Sequence, residues 1–141
     1  MLIYVAGPYT QGDPATNVAS ALEAADQVLA LGHVPLVPHL SHYWHQISPK
    51  DYEAWLAIDL AYLAACDGLL RLPGYSPGAD REVEFAKAQG LPVWYGLEAL
   101  AAWVVEWKAL EDMPPIMRFA RAGLPAADVV ANLQRNLGRL S

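Results

Sequence analysis

The strongest constraint on this chain is an alternation of short apolar runs with longer segments of helical spacing. Leu2–Ala6 runs into Gly7-Pro8, residues 33–37 are closed by Pro38, and residues 67–72 are followed by Pro73-Gly74. A fourth run covers residues 91–95. Apolar runs this short, bounded by turn residues, read as buried strands. Between the first two, Val18, Leu22, Ala25, Val28 and Leu29 recur at helical spacing over residues 14–31, and Gly32 ends that helix. A second helix is expected from Ser48-Pro49 through Cys66, with Pro49 in its first turn. A third opens at Ser76-Pro77-Gly78 and ends at Gly90. Residues 39–50 read as an aromatic, His-rich connection. Further helices are expected over residues 97–110 and 125–137, separated by Pro114-Pro115. The alternation predicts βαβ units: a parallel sheet of four to five strands between two helical layers, a Rossmann-like three-layer sandwich with a helical C-terminal extension. One domain is expected, with a core over residues 2–95 and a helical tail over 97–141.

Composition narrows the partners. A net charge of −6 argues against nucleic-acid polymers and anionic membranes. A small anionic ligand stays compatible, because backbone amides at a helix N-terminus bind anions without net basic charge. Cys66 is the lone cysteine, so neither an intrachain disulfide nor a cysteine-based zinc site is expected. The N-terminus runs directly into a strand without the basic and apolar regions of a secretory signal. A cytoplasmic location follows as the expectation. The loop Gly7-Pro8-Tyr9-Thr10 is not a dinucleotide fingerprint, and no Walker loop occurs. No cofactor is expected.

In parallel sheets of this kind, ligands bind beyond the carboxyl ends of the strands, where strand order reverses. That brings three loops to the site: residues 7–10, 38–45 and 73–78. Ser76 can cap the third helix, and Gly78 permits close backbone approach. Ala79, Val83, Ala86 and Gly90 form the stripe that packs on the sheet. Glu82 borders that stripe, whereas Glu84 lies about 200° further round. Only one of them can face the cleft, and Glu82, nearer the loop, is the candidate. The competing reading leaves both solvated near the positive helix end. Asp59 is the only charged residue from Ala54 to Cys66. On so apolar a helix it is either an acid tuned for proton transfer or a group on one wet strip. His39, His42 and His45 recur every three residues, but no carboxylate completes a metal set. Stacking on a planar base with Tyr43 and Trp44, or packing in the core, accounts for them without a metal.

Taken together, the segments resemble the nucleoside 2-deoxyribosyltransferase family and its small bacterial and phage-like relatives. The resemblance is carried by residues 3–9, by Pro38-His39-Leu40-Ser41-His42-Tyr43-Trp44-His45, and by Tyr52-Glu53-Ala54-Trp55 with Asp59. It continues through residues 66–74, through Ser76-Pro77-Gly78-Ala79-Asp80-Arg81-Glu82, and through residues 86–93. It covers residues 2–95, and the tail contributes nothing to it. It implies a flavodoxin-like α/β fold. It also implies a nucleophilic glutamate eight residues before the Gly that ends its helix, the spacing of Glu82 to Gly90. Asp59 then takes the place of the aspartate that contacts the nucleobase, and Tyr4 that of the tyrosine beside the nucleophile. Gly7, Pro8, Tyr9, His39, Tyr43, Ser76 and Gly78 complete the implied substrate site. Transferases acting on nucleosides carry an acidic residue six positions before the nucleophile, where this chain has Ser76. The related 2′-deoxynucleoside 5′-phosphate N-hydrolases have a serine there, against phosphate. The loop of residues 7–10 lacks the basic residue those hydrolases use.

The expected activity is therefore cleavage or transfer at the N-glycosidic bond of 2′-deoxynucleosides or their 5′-monophosphates. The alternative is a nucleotide-binding sensor of the same fold without catalysis. Trp103, Trp107 and Leu110 would share one helical face, which predicts a symmetric homodimer or larger homo-oligomer.

Overall fold

The computed structural model describes residues 1–103. Four parallel strands form one sheet in the order β2-β1-β3-β4: β1 (Leu2–Ala6), β2 (Val34–Leu36), β3 (Gly68–Arg71) and β4 (Val93–Tyr95). Helices α1 (Pro14–Ala30), α2 (Ser41–Ile47), α3 (Tyr52–Ala64), α4 (Pro77–Ala88) and α5 (Leu97–Ala101) connect or follow them. This is the flavodoxin-like α/β architecture, with helices on both faces of the sheet.

The period-2 alternation of the central strands sorts the core into two layers. Ile3 and Leu70 point to one face, where Val28 of α1, Trp94 and Leu100 of α5 cover them. Tyr4, Ala6 and Leu69 point to the other, where Leu63 of α3 and Ala79, Val83 and Ala86 of α4 cover them. In the register, Tyr4 lies opposite Leu69 and Val5 opposite Leu70. Gly68 is fixed by packing: a Cβ there would fall 2.4 Å from Trp94.

Helix starts follow side-chain caps. Asp13 accepts the Thr16 amide at 2.9 Å ahead of Pro14, and Ser76 accepts the Ala79 amide at 3.2 Å ahead of Pro77. The expected helix start at Ser48-Pro49 is corrected. The Asp51 carboxylate accepts the Ala54 amide at 2.8 Å, so α3 opens only at Tyr52. Ser48 is held at φ −137° and ψ 79° ahead of Pro49, as a residue before proline prefers. At its other end α3 stops at Ala64, short of Cys66. Residues 39–50 are more than a connection, since a 3-10 turn (Pro38–Leu40) runs into them and α2 follows. Helix α5 ends at Ala101, well before residue 110, and Trp103 sets its ring edge-on to Trp94 at 5.4 Å. The expected helix over residues 125–137 and the apolar positions Trp107 and Leu110 lie outside the described residues. Among the described residues, no helix is long and apolar enough to cross a membrane.

Candidate active site

Strand order reverses between β1 and β3, since β1 leads outward to β2 and β3 outward to β4. A cavity of about 380 Å³ opens at the carboxyl ends of these two strands, large enough for a small organic ligand. Gly7, Tyr9, His39, Asp59, Ser76, Gly78 and Glu82 all line it. Residues scattered over three loops and two helices thus converge because the topology gathers the ends of β1, β2 and β3.

Glu82 is set by the phase of α4. Ala79, Val83 and Ala86 dock on the sheet and draw Glu82 inward to 6% exposure, while Glu84 faces solvent. Tyr4, fully buried on β1, donates its O–H to Glu82 Oε1 at 2.8 Å. Burial pushes Glu82 up to about 8, and the neighbouring Asp59 charge adds to this. The Tyr4 hydrogen bond and the Arg71 guanidinium oppose the rise. Burial first, and the Glu82 charge second, hold the Tyr4 hydroxyl far above its ordinary range, so it remains a donor.

Asp59 lies on the face of α3 that also brings Tyr52, Trp55 and Leu56 to the cavity, at helical offsets of three, four and seven. Burial raises its carboxyl to about 6. Its Oδ1 is buried without a hydrogen-bond partner among the described residues. Such an acceptor costs stability unless a ligand completes it.

The remaining expected residues divide. Ser76 is buried with its hydroxyl oxygen used as the α4 cap. A Cβ on Gly78 would lie 3.4 Å from Tyr52 Oη, and one on Gly7 would meet Leu72 Cβ at 3.1 Å. Tyr9 Oη lies 2.7 Å from His42 Nδ1. His39 donates from Nε2 to the Pro8 carbonyl at 3.1 Å, and burial keeps its proton affinity below the ordinary value. Pro8 itself is not in the wall. Nor is Tyr43, which is 62% exposed, or Trp44, whose ring meets Trp55 at 5.1 Å. Because residues 41–47 are helical, Leu40, Tyr43, Trp44 and Ile47 turn outward together, and Ser41 and His45 turn inward. The aromatic wall is supplied by Tyr9, Tyr52 and Trp55 instead. The three histidines have separate partners: the Pro8 carbonyl for His39, Tyr9 and Gln46 for His42, and the Trp55 indole for His45.

Two further residues escaped the sequence reading. Arg71, 8% exposed at the end of β3, donates to the Leu72 carbonyl, to the Gly74 carbonyl at 3.0 Å and to Asp80 Oδ1 at 2.9 Å. It ties the β3–α4 turn to the first turn of α4. A lone arginine closing an apolar strand was the available signal. Lys50, between α2 and α3, also lines the cavity. Nothing in its local sequence marks it.

Fold and site together define a flavodoxin-like α/β protein with a carboxylate-bearing cavity at the switch point of its sheet. The chain belongs to the family described as Domain of unknown function (DUF4406), whose model matches residues 1–95. Its fold is similar to that of a solved 2-deoxyribosyltransferase from Leishmania mexicana, at a TM-score of 0.51 and 21% identity over 66% of this chain. The match spans 61% of the length of the Leishmania protein. A 2-deoxyribosyltransferase from the psychrotolerant bacterium Bacillus psychrosaccharolyticus matches at a TM-score of 0.49 and 18% identity, over 82% of this chain and 93% of its own. No curated protein gives a sequence match.

Proposed function

We propose that the protein cleaves or transfers at the N-glycosidic bond of 2′-deoxynucleosides or their 5′-monophosphates. The observation that carries this reading is the buried Glu82 carboxyl, held by the Tyr4 hydroxyl at 2.8 Å and facing a cavity that it shares with Asp59. With the one proton of the pair on Asp59, the ionised Glu82 attacks C1′ as the sugar takes on oxocarbenium character, giving a deoxyribosyl-enzyme and the free base. Tyr4 fixes the attacking oxygen through its hydrogen bond. Asp59, with an unsatisfied oxygen and a carboxyl raised to about 6, binds the base and moves a proton to it as it leaves. Water or a second base then takes the sugar from Glu82. Tyr9, Tyr52 and Trp55 offer aromatic surface to the planar base. The likeness of fold to the Leishmania 2-deoxyribosyltransferase supports this chemistry.

The deciding experiment incubates the protein with the four 2′-deoxynucleosides and their 5′-monophosphates, with and without an acceptor base, and follows free base by chromatography. Base release lost in Glu82→Ala is the expected result. Tight binding with no base release from any member of the panel would overturn the reading and leave a nucleotide-binding protein. We further propose that the protein acts as a homodimer or larger homo-oligomer, which light scattering tests.

A further inference from the structure

Lys50 stands apart from the other described cations. Arg71 pairs with Asp80, Arg81 pairs with Glu53, and Lys87 lies over Tyr95 away from the cavity. Lys50 alone among them lines the cavity, and no carboxylate among the described residues pairs with it. Its ammonium donates to the Ser48 carbonyl and hydroxyl oxygens, both at 3.1 Å, which leaves one of its three N–H groups without an acceptor among the described residues. Trp44 and Trp55 flank it at 4.7 Å and 5.3 Å from their ring centroids. A lysine side chain loses much rotamer freedom when held so, and two backed contacts to Ser48 offset only part of that cost. In a chain of net charge −6, an ordered cation with an open donor at a cavity wall is a site for a negative group.

Its position selects which negative group. Lys50 immediately precedes α3, and Tyr52 and Asp59 mark the two ends of the cavity-facing stretch of that helix. Seven residues of α-helix separate these ends by roughly 10 Å. Tyr52 reaches the first turn of α4 at Gly78, whereas Asp59 acts on Glu82 one turn deeper. The charge that eases ionisation of Glu82 is that of Arg71, so Lys50 serves neither carboxyl. A substrate with C1′ at Glu82 and its base at Asp59 would leave Lys50 and the Ser76–Gly78 segment as the cavity wall for the 5′ end of its sugar.

We propose that Lys50 binds the phosphate of the substrate, so that the site takes 2′-deoxynucleoside 5′-monophosphates in preference to the corresponding nucleosides. This rests on the function proposed above for the same cavity.

The test separates binding from chemistry. Glu82→Ala protein is titrated calorimetrically with the four 2′-deoxynucleosides and their 5′-monophosphates. The best monophosphate should bind on the order of tenfold or more tighter than its nucleoside, as one charged hydrogen bond allows. Adding Lys50→Met should remove most of that ratio, and adding Lys50→Arg should keep it. Raising the ionic strength should weaken the monophosphate only where a cation is present at residue 50. Equal affinity for the two ligand classes, or a ratio that survives Lys50→Met in a folded variant, overturns the role of Lys50. Base release by the wild-type protein is measured in parallel. A preference for monophosphates without base release would sink the glycosidic reading and keep the phosphate site. Base release from both classes at equal kcat/KM would do the reverse.

Discussion

The two faces of the central sheet are built from the same two strands and differ in what they bury. On the α1–α5 side, Ile3, Val28, Leu70, Trp94 and Leu100 make an apolar cluster. On the α3–α4 side, the packing is interrupted by Tyr4 and Glu82, with Asp59 and Arg71 at its edge. One residue of β1 shift separates Ile3, which only packs, from Tyr4, which packs and donates. The first face contributes stability. The second gives some up, because a carboxyl raised to about 8 by burial is a group held against its preference for water.

That contrast is sharpened most by Glu82→Ala set against Glu84→Ala. Loss of base release by about a thousandfold or more is expected for the first, as for removal of a covalent nucleophile. The second should stay near wild type, since Glu84 faces solvent. Equal losses at equal stability would mean that helical phase does not separate the two carboxylates.

Leu70→Ala, on the apolar face, should cost about 2–5 kcal/mol in chemical denaturation. Base release per folded molecule should survive it. A variant that keeps its stability but loses activity would show the faces to be coupled.

Glu82→Gln probes the cost of the polar face. The folded protein keeps the Glu82 proton up to about pH 8, whereas an exposed glutamate releases it near 4.5. Between these values the folded state binds more protons, so wild-type stability falls as pH rises through the interval and stays low above it. The Gln variant should therefore be the more stable protein at pH 8, by up to about 4 kcal/mol. The gap should close below about pH 4.5. An unchanged gap across thermal melts at pH 4 and pH 8 would refute the raised carboxyl.

Tyr4→Phe should have the smallest effect. Between about pH 6 and 8 the Asp59–Glu82 pair holds one proton, which predicts a bell-shaped rate profile with those edges. The Tyr4 hydrogen bond lowers the Glu82 value, so its loss should move the alkaline edge upward and slow base release about tenfold. A rate profile with the wild-type edges would make Tyr4 a packing residue.

Much of this architecture was legible in the sequence. The strands announced themselves because each is a short apolar run ended by Gly or Pro, and local breakers fix such ends. Helical phase against the apolar stripe at Ala79, Val83 and Ala86 favoured Glu82 over Glu84, but the reading with both solvated stood until the resemblance added the spacing to Gly90. What escaped depends on through-space partners. Helix α2 turns Leu40, Tyr43, Trp44 and Ile47 outward, so its apolar spacing does not mark a core. The start of α3 was misplaced because Pro49 and Asp51 both offer a first turn, and the Asp51 carboxylate provides the cap. Lys50 and Arg71 are single cations whose meaning lies in residues far along the chain.

The Tyr4–Glu82 hydrogen bond joins residues 78 positions apart. A chain emerging from the ribosome presents its first strand long before the helix that carries the carboxyl. Until that helix docks, Glu82 is an ordinary hydrated acid with no reason to hold its proton near neutrality. The Tyr4-held carboxyl is thus created by a long-range contact, and neither element produces it alone. Partly folded forms lack the assembled cavity, which takes shape only once the central sheet has closed.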